Sequence, residues 1–437
     1  MSVLNLFGNK IPSYLIVTFY SWIGRAISIL CSLYILKLTT NFLGVVDYSI
    51  YVILVNIIGW ALLFDLGLGY SLQNYISELK NNKKEYNRQI WITSVILFIF
   101  LTLSAFILWL LTPYLSNIIF GKYEITSTNN FEKLFFIASL IGLLTAFGSV
   151  TNKIFYGLQK GHLPNLILAI AGLLNVISLH LLKYFGFISL ENVLVVTLGL
   201  NAIITIIPIF YFYYKSKLNN WKFDNQIASK LINRGAGFGL FALMSACVLQ
   251  VDYLVMSQSV SPIEITKYNI LFKLFSVIFI AYSTLLSALW PMFLEWRLNG
   301  KIDLITKNIK RYILLSSVVF IIFTIVLIFK GQLLISMLTE LQVSFSIELT
   351  LLVGLYFIIR VWTDMFAMVL QSMNNLKPFW ILTPIQAVIS IILQLVLSQY
   401  LGILGIIIAL ILSFLLTVSW SLPMVALSSL KSKNIQS

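Results

Sequence analysis

The chain has 437 residues, of which 59% are hydrophobic and 10% charged, with a mean hydropathy of +0.96. Those values exclude a soluble enzyme or a disordered chain and require an integral membrane protein. The net charge of +14 would suit a polyanion, but the basic residues fall in alternate short loops between apolar runs, which marks topology and argues against nucleic acid.

Twelve apolar runs occur, each close to the twenty residues a helix needs to cross about 30 Å of hydrocarbon. In chain order they are Ile11 to Leu36, Tyr48 to Leu72, Trp91 to Tyr114, Leu134 to Phe155, Pro164 to Leu182 and Val193 to Tyr213. A basic linker follows, and then Leu231 to Met256, Tyr268 to Phe293, Tyr312 to Phe329, Leu349 to Leu370, Phe379 to Leu397 and Leu401 to Leu422. The runs are continuous and do not alternate, so helices are expected and an outer-membrane barrel is not. The first run is too long for a cleavable signal peptide and should remain as a span.

Twenty Lys and Arg collect on one side of this ladder, including Lys10, Lys80, Lys83, Lys84 and Arg88, and six on the other. That bias predicts both termini in the cytoplasm. The expected organisation is a first lobe over residues 1–214, a cytoplasmic linker over 215–230 and a second lobe over 231–437. Two matches suggest that the second lobe repeats the first. Asp47-Tyr48-Ser49-Ile50 pairs with Lys267-Tyr268-Asn269-Ile270, and Leu158-Gln159 before Pro164 pairs with Leu370-Gln371 before Pro378. Six spans per half predicts two lobes related by a pseudo-twofold axis along the membrane normal.

The loops are too short to hold a catalytic domain. The longest outward one, Leu115 to Lys133, offers Glu124 and Glu132 without histidine or cysteine. His162 and His180 lie far apart, and Cys31 and Cys247 each sit inside an apolar run as small core residues. No catalytic residue, metal site or cofactor is expected, and no phosphate-binding loop for ATP is present.

Charges inside the spans are expensive and point to function. Arg25 lies about 20 Å from the cytoplasmic end of the first span at 1.5 Å per residue. A guanidinium there suits a phosphate through bidentate hydrogen bonds, or it pairs with a carboxylate to hold helices together. Asp252 and Lys273 should sit at similar depth on the seventh and eighth spans. They fit a salt bridge across the hairpin, or a cavity lysine beside an aspartate that tunes it or takes a coupling cation. Arg360 and Asp364 are four residues apart on the tenth span and are expected to pair along one helix face. Asp65, in Asp65-Leu66-Gly67-Leu68-Gly69, is expected to cap or gate near a cytoplasmic helix end, with its glycines allowing close packing.

Several of these stretches resemble a known family. Leu43-Gly44 with Tyr48 and Tyr51, then Asp65 through Ser71, resembles the first hairpin of bacterial polysaccharide-unit flippases, the O-antigen and capsule transporters. Tyr156-Gly157-Leu158-Gln159-Lys160-Gly161 resembles their hairpin after the fourth span, and Tyr268 through Lys273 to Trp290-Pro291 their eighth span. The motifs are shared with a wider superfamily that includes lipid II flippases and multidrug and toxic compound extrusion transporters. The resemblance implies two six-helix lobes around an alternately exposed cavity in the bacterial inner membrane. It implies an undecaprenyl-pyrophosphate-linked oligosaccharide as cargo, with membrane lipids, a glycan polymerase and chain-length proteins as partners. Basic residues on the first and eighth spans are a family theme and map onto Arg25 and Lys273. Arg360 joins them as a substrate-binding candidate, while Asp65, Asp252 and Asp364 are candidates for coupling to H+ or Na+. A drug or cation antiporter of the same fold and a membrane glycan polymerase or ligase are the rival readings.

Overall fold

The computed structural model describes residues 13–81, 86–123, 130–216, 223–341, 343–373 and 375–431, and among these there are helices and turns but no strand. Lys10, Lys83, Lys84, Lys217, Lys222 and Lys433 of the basic count, Glu124, and the centre of the 215–230 linker lie outside the described residues.

Ten helical stretches among the described residues are long and apolar enough to cross a membrane. Two of them, Tyr20–Asp65 with 46 residues and Lys377–Leu430 with 54, measure roughly 70 and 80 Å at 1.5 Å per residue, against a hydrocarbon core of about 30 Å. Each contains a glycine whose positive φ no helix tolerates, Gly44 at 68° and Gly402 at 55°. Gly44 falls between the first two predicted runs and Gly402 close to the junction of the last two, so each long stretch breaks near a predicted boundary.

We number the helices α1 (Ser13–Ala61), α2 (Leu68–Asn81), α3 (Asn87–Phe120), α4 (Phe131–Gly157), α5 (His162–Tyr184), α6 (Leu190–Leu194), α7 (Leu200–Ser216), α8 (Asn225–Leu249), α9 (Val251–Ser259), α10 (Pro262–Leu298), α11 (Ile302–Leu338), α12 (Ile347–Ser372), α13 (Lys377–Leu416) and α14 (Val418–Lys431). Four helix starts carry a polar cap and an acidic first turn: Asn130 and Glu132 on α4, Ser189 and Glu191 on α6, Ser261 and Glu264 on α10, Ser346 and Glu348 on α12. Each satisfies amides that the helix cannot bond itself and sets negative charge against the positive end of the dipole.

The chain divides into two compact units, residues 1–43 with 54–242 and residues 44–53 with 243–437. In the first, α4 packs against α2, α3 and α7. Close approach depends on small residues. A Cβ at Gly148 would fall on Thr205, and one at Gly142 on Ala61, while Thr151 donates across to the Thr205 carbonyl. In the second unit α12 is the central helix, packed by α10, α11, α13 and α14, and Gly354 receives Thr324 of α11. The outer faces of α3 and α11 are apolar and exposed, with Phe98, Phe106 and Leu110 on one and Leu314, Ile322 and Phe329 on the other. Faces of this size suit hydrocarbon as the surrounding medium.

Each unit places a basic side chain at the end of its central helix. In the first unit Lys80, at the end of α2, donates to the carbonyl of Leu158 just past α4 (2.8 Å). In the second, Arg297 at the end of α10 donates to the carbonyl of Met373 just past α12 (3.4 Å). A basic side chain thus satisfies a carbonyl at the end of the central helix in each unit. The matched stretches around Tyr48 and Tyr268 both lie in the second unit and pack together, with Tyr48 donating to Asn269 Oδ1 (2.7 Å) and Thr266 to the Val45 carbonyl (3.2 Å).

Candidate functional site

Arg25 lies where α1 meets the start of α5. A Cβ at Gly24 would stand 2.8 Å from the Asn165 carbonyl, so glycine at this position lets the two backbones touch. The neighbouring Arg25 Nε then reaches Asn165 Oδ1 at 3.4 Å, and the Asn165 amide donates to Ser21 Oγ at 2.5 Å and to the Gly161 carbonyl at 3.3 Å. The guanidinium is half-buried and stands beside the first turn of a helix. Both features favour an anion there.

Asp65, also in the first unit, is 8% exposed and ends the turn before α2. Its Oδ1 accepts from the Gly67 amide at 2.8 Å, and the Gly69 amide also bonds it. Lys153 of α4 lies alongside, its Nζ 3.3 Å above the Tyr70 ring. Leu66 and Gly67 both have positive φ, 51° and 71°. A Cβ on Gly67 would come within 2.4 Å of the Gly235 carbonyl, and one on Gly239 within 2.8 Å of Leu66. The motif therefore caps a helix and docks its turn onto α8, as its glycines and aspartate lead one to expect.

In the second unit Asp252 and Lys273 are not joined. Asp252, 6% exposed, accepts from the Tyr268 hydroxyl (2.5 Å) and from the Tyr253 amide (2.9 Å). No ion pair links it to Lys273 among the described residues. The helix explains why the hairpin salt bridge, one of the two readings of this pair, does not form. Lys273 is five residues beyond Tyr268, about 140° around α10, so a carboxylate that meets Tyr268 does not face Lys273. Around Asp252 the network extends through Asn269, which donates to the Tyr253 hydroxyl (2.7 Å) and accepts from Tyr48 (2.7 Å). Phe272 stacks on Tyr268 with ring centroids 4.1 Å apart.

Arg360 and Asp364 do pair, at 3.2 Å along one face of α12. The same guanidinium donates to the Tyr356 hydroxyl at 3.1 Å and lies 4.9 Å from the Phe279 ring and 5.8 Å from the Phe414 ring. Aromatic faces and a carboxylate together hold the charge where water is scarce.

The sequence reading missed Asn165, Tyr356 and a polar row on α13, and met Tyr268 only as part of a matched stretch. That row had a visible signal. Gln386, Ser390, Gln394 and Ser398 recur every fourth residue inside an apolar run and are all buried. Among the described residues no group of three His, Cys, Asp or Glu is arranged to hold a metal ion.

No family model matches the chain. It is 34% identical over 428 residues to a protein of Yersinia pseudotuberculosis named for O-antigen export, covering 95% of this chain and 96% of that one. A Salmonella typhi protein named as an O-antigen transporter is 34% identical over 430 residues, with the same shares. Among solved structures, a multidrug-resistance transporter of the MATE family in the MOP superfamily, inward-facing, superimposes with a TM-score of 0.75 at 12% identity over 94% of this chain and 99% of its own. The lipid II flippase MurJ, inward closed, gives 0.71 at 14% identity over 95% and 87%. At those identities the structures speak for the fold alone. The sequence relatives go further: at 34% identity across nearly the whole length, this chain belongs to the O-antigen transporter family.

Proposed function

We propose that this protein is a flippase that carries a lipid-linked oligosaccharide across the bacterial inner membrane, without covalent chemistry. The observation that carries the reading is end-to-end similarity to relatives named for O-antigen export and transport, on a fold shared with a lipid II flippase. The cargo is an undecaprenyl-pyrophosphate-linked repeat unit, moved from the inner to the outer leaflet by alternating access, with both termini in the cytoplasm. A glycan polymerase and chain-length proteins receive the product.

Arg25 and Lys273 are each assigned to the pyrophosphate. Arg25 is supported by its place beside the α5 start, and Lys273 by its being half-buried in a span with no carboxylate paired to it among the described residues. Arg360, paired with Asp364, contacts the headgroup. Of the three carboxylates proposed for coupling to H+ or Na+, Asp65 is engaged by backbone amides and Asp364 by an arginine. Asp252 has the Tyr268 phenol and the backbone amides of the α9 start for partners, and a buried carboxylate with no cation paired to it among the described residues is relieved by a proton or a cation.

The test is Arg25→Ala in cells that lack the chromosomal copy and any paralogue. The expected result is loss of the surface glycan with lipid-linked units held on the inner leaflet. Intact glycan sinks the reading, and single units gathered on the outer leaflet would point to a polymerase instead.

A further inference from the structure

The second unit contains an open pocket of about 130 Å³ walled by α8, α12, α13 and α14. At roughly 30 Å³ for each water, that is room for about four waters or for one edge of a sugar ring. Its polar lining comes from Ser245, Arg360, Thr363, Asp364, Thr383 and Gln386.

Two donors in this lining lack partners among the described residues. Gln386 is only 5% exposed, yet its Nε2 is unbonded, and so is Arg360 Nε. Two turns farther along α13, Gln394 Nε2 donates to Ser390 Oγ at 2.9 Å, so the amide nitrogen of that glutamine is bonded while that of Gln386 is not. Buried amides left open in this way are uncommon and call for a ligand group that accepts.

The charge balance selects the kind of acceptor. Asp364 sits 3.2 Å from the Arg360 guanidinium and cancels its charge, so an anion gains little net attraction here. Thr363 spends its proton on the carbonyls of Ile359 and Arg360, which leaves its oxygen as an acceptor. Donors and acceptors are therefore mixed in a neutral pocket, and a hydroxyl, which both donates and accepts, matches that set.

We propose that this pocket is the subsite for a neutral sugar of the cargo, with Gln386 and Arg360 donating to its hydroxyl oxygens and Asp364 accepting from a hydroxyl proton. The assignment rests on the flippase reading and divides the labour within it. Within the second unit Lys273 is assigned to phosphate, whereas Arg360 reads sugar.

The experiment uses the full chain in lipid nanodiscs with two probes: undecaprenyl pyrophosphate bearing the native repeat unit, extracted from polymerase-deficient cells, and bare undecaprenyl pyrophosphate. Gln386→Leu should weaken binding of the glycosylated lipid roughly three- to tenfold, the span of one lost hydrogen bond, and leave the bare lipid unchanged. Thr383→Val should act in the same direction and stands in if Gln386→Leu fails to fold. Equal affinity of wild type and both variants for the glycosylated lipid overturns the subsite, and so does an equal loss on both lipids. Wild-type protein that binds neither lipid overturns the flippase reading itself.

Discussion

Asp65 and Asp252 are both buried carboxylates inside a membrane protein, and their surroundings differ in kind. Asp65 is met by backbone amides of the α2 start, with Lys153 alongside. Its oxygens are taken up by groups that cannot leave without unwinding a helix. Asp252 also takes backbone amides, at the α9 start, but adds the hydroxyl of Tyr268, within a net of side chains that runs through Tyr253, Asn269 and Tyr48. A side chain turns on single bonds, so the Tyr268 partner can be exchanged. Burial alone therefore does not mark a carboxylate as functional. The nature of its partners separates a structural cap from a group free to take a proton or a cation.

The most severe way to break this comparison is at Gly67. Its φ of 71° and the 2.4 Å approach of its missing Cβ to the Gly235 carbonyl leave no room for alanine. Gly67→Ala is expected to destabilise by more than about 3 kcal/mol, through strain and overpacking together. Thermal unfolding of the purified chain would show it as a large fall in melting temperature. A melting temperature equal to that of wild type would mean that the Asp65 turn is not the rigid cap described here.

Tyr268→Phe comes next. It removes the hydroxyl that bonds Asp252 and leaves a buried carboxylate with backbone amides alone, at a cost of about 1–3 kcal/mol. The same melting measurement reads it. A neutral result would show that Asp252 already relies on another partner, and the contrast with Asp65 would lose its second half.

Much of this was legible in the sequence because hydropathy and short spacings are one-dimensional. The apolar runs needed only length, and the Arg360–Asp364 pair needed only the four-residue step of a helix face. The tight turn at Asp65 was marked by two glycines around a cap residue. The partners that define the sites were not legible. Asn165 is 140 residues from Arg25, and Asp252 chooses Tyr268 over Lys273 because of the rotation of α10 about its own axis. No local pattern fixes that angle. The polar row of α13 lies between these cases, since its spacing was in view while its open amide at Gln386 was a matter of packing.

The smallest expected effect is the most discriminating. In Asp65→Asn the amide oxygen can still accept from Gly67, while the second oxygen and the charge beside Lys153 are lost, so stability should fall by about 1 kcal/mol or less. Asp65→Ala, which removes the acceptor, should cost about 1–2 kcal/mol. If Asp65 is only a cap, cells carrying Asp65→Asn keep their surface glycan. If it is the coupling carboxylate, they lose the glycan while the protein still melts above Asp65→Ala, because asparagine bonds the helix through one oxygen but neither takes up a proton nor neutralises a cation. The same substitution at Asp252 should give the reverse pattern, with glycan lost and the Tyr268 hydroxyl still able to donate to the asparagine oxygen. Only the two variants read side by side, by melting temperature and by glycan, separate what a carboxylate does for the fold from what it does for transport.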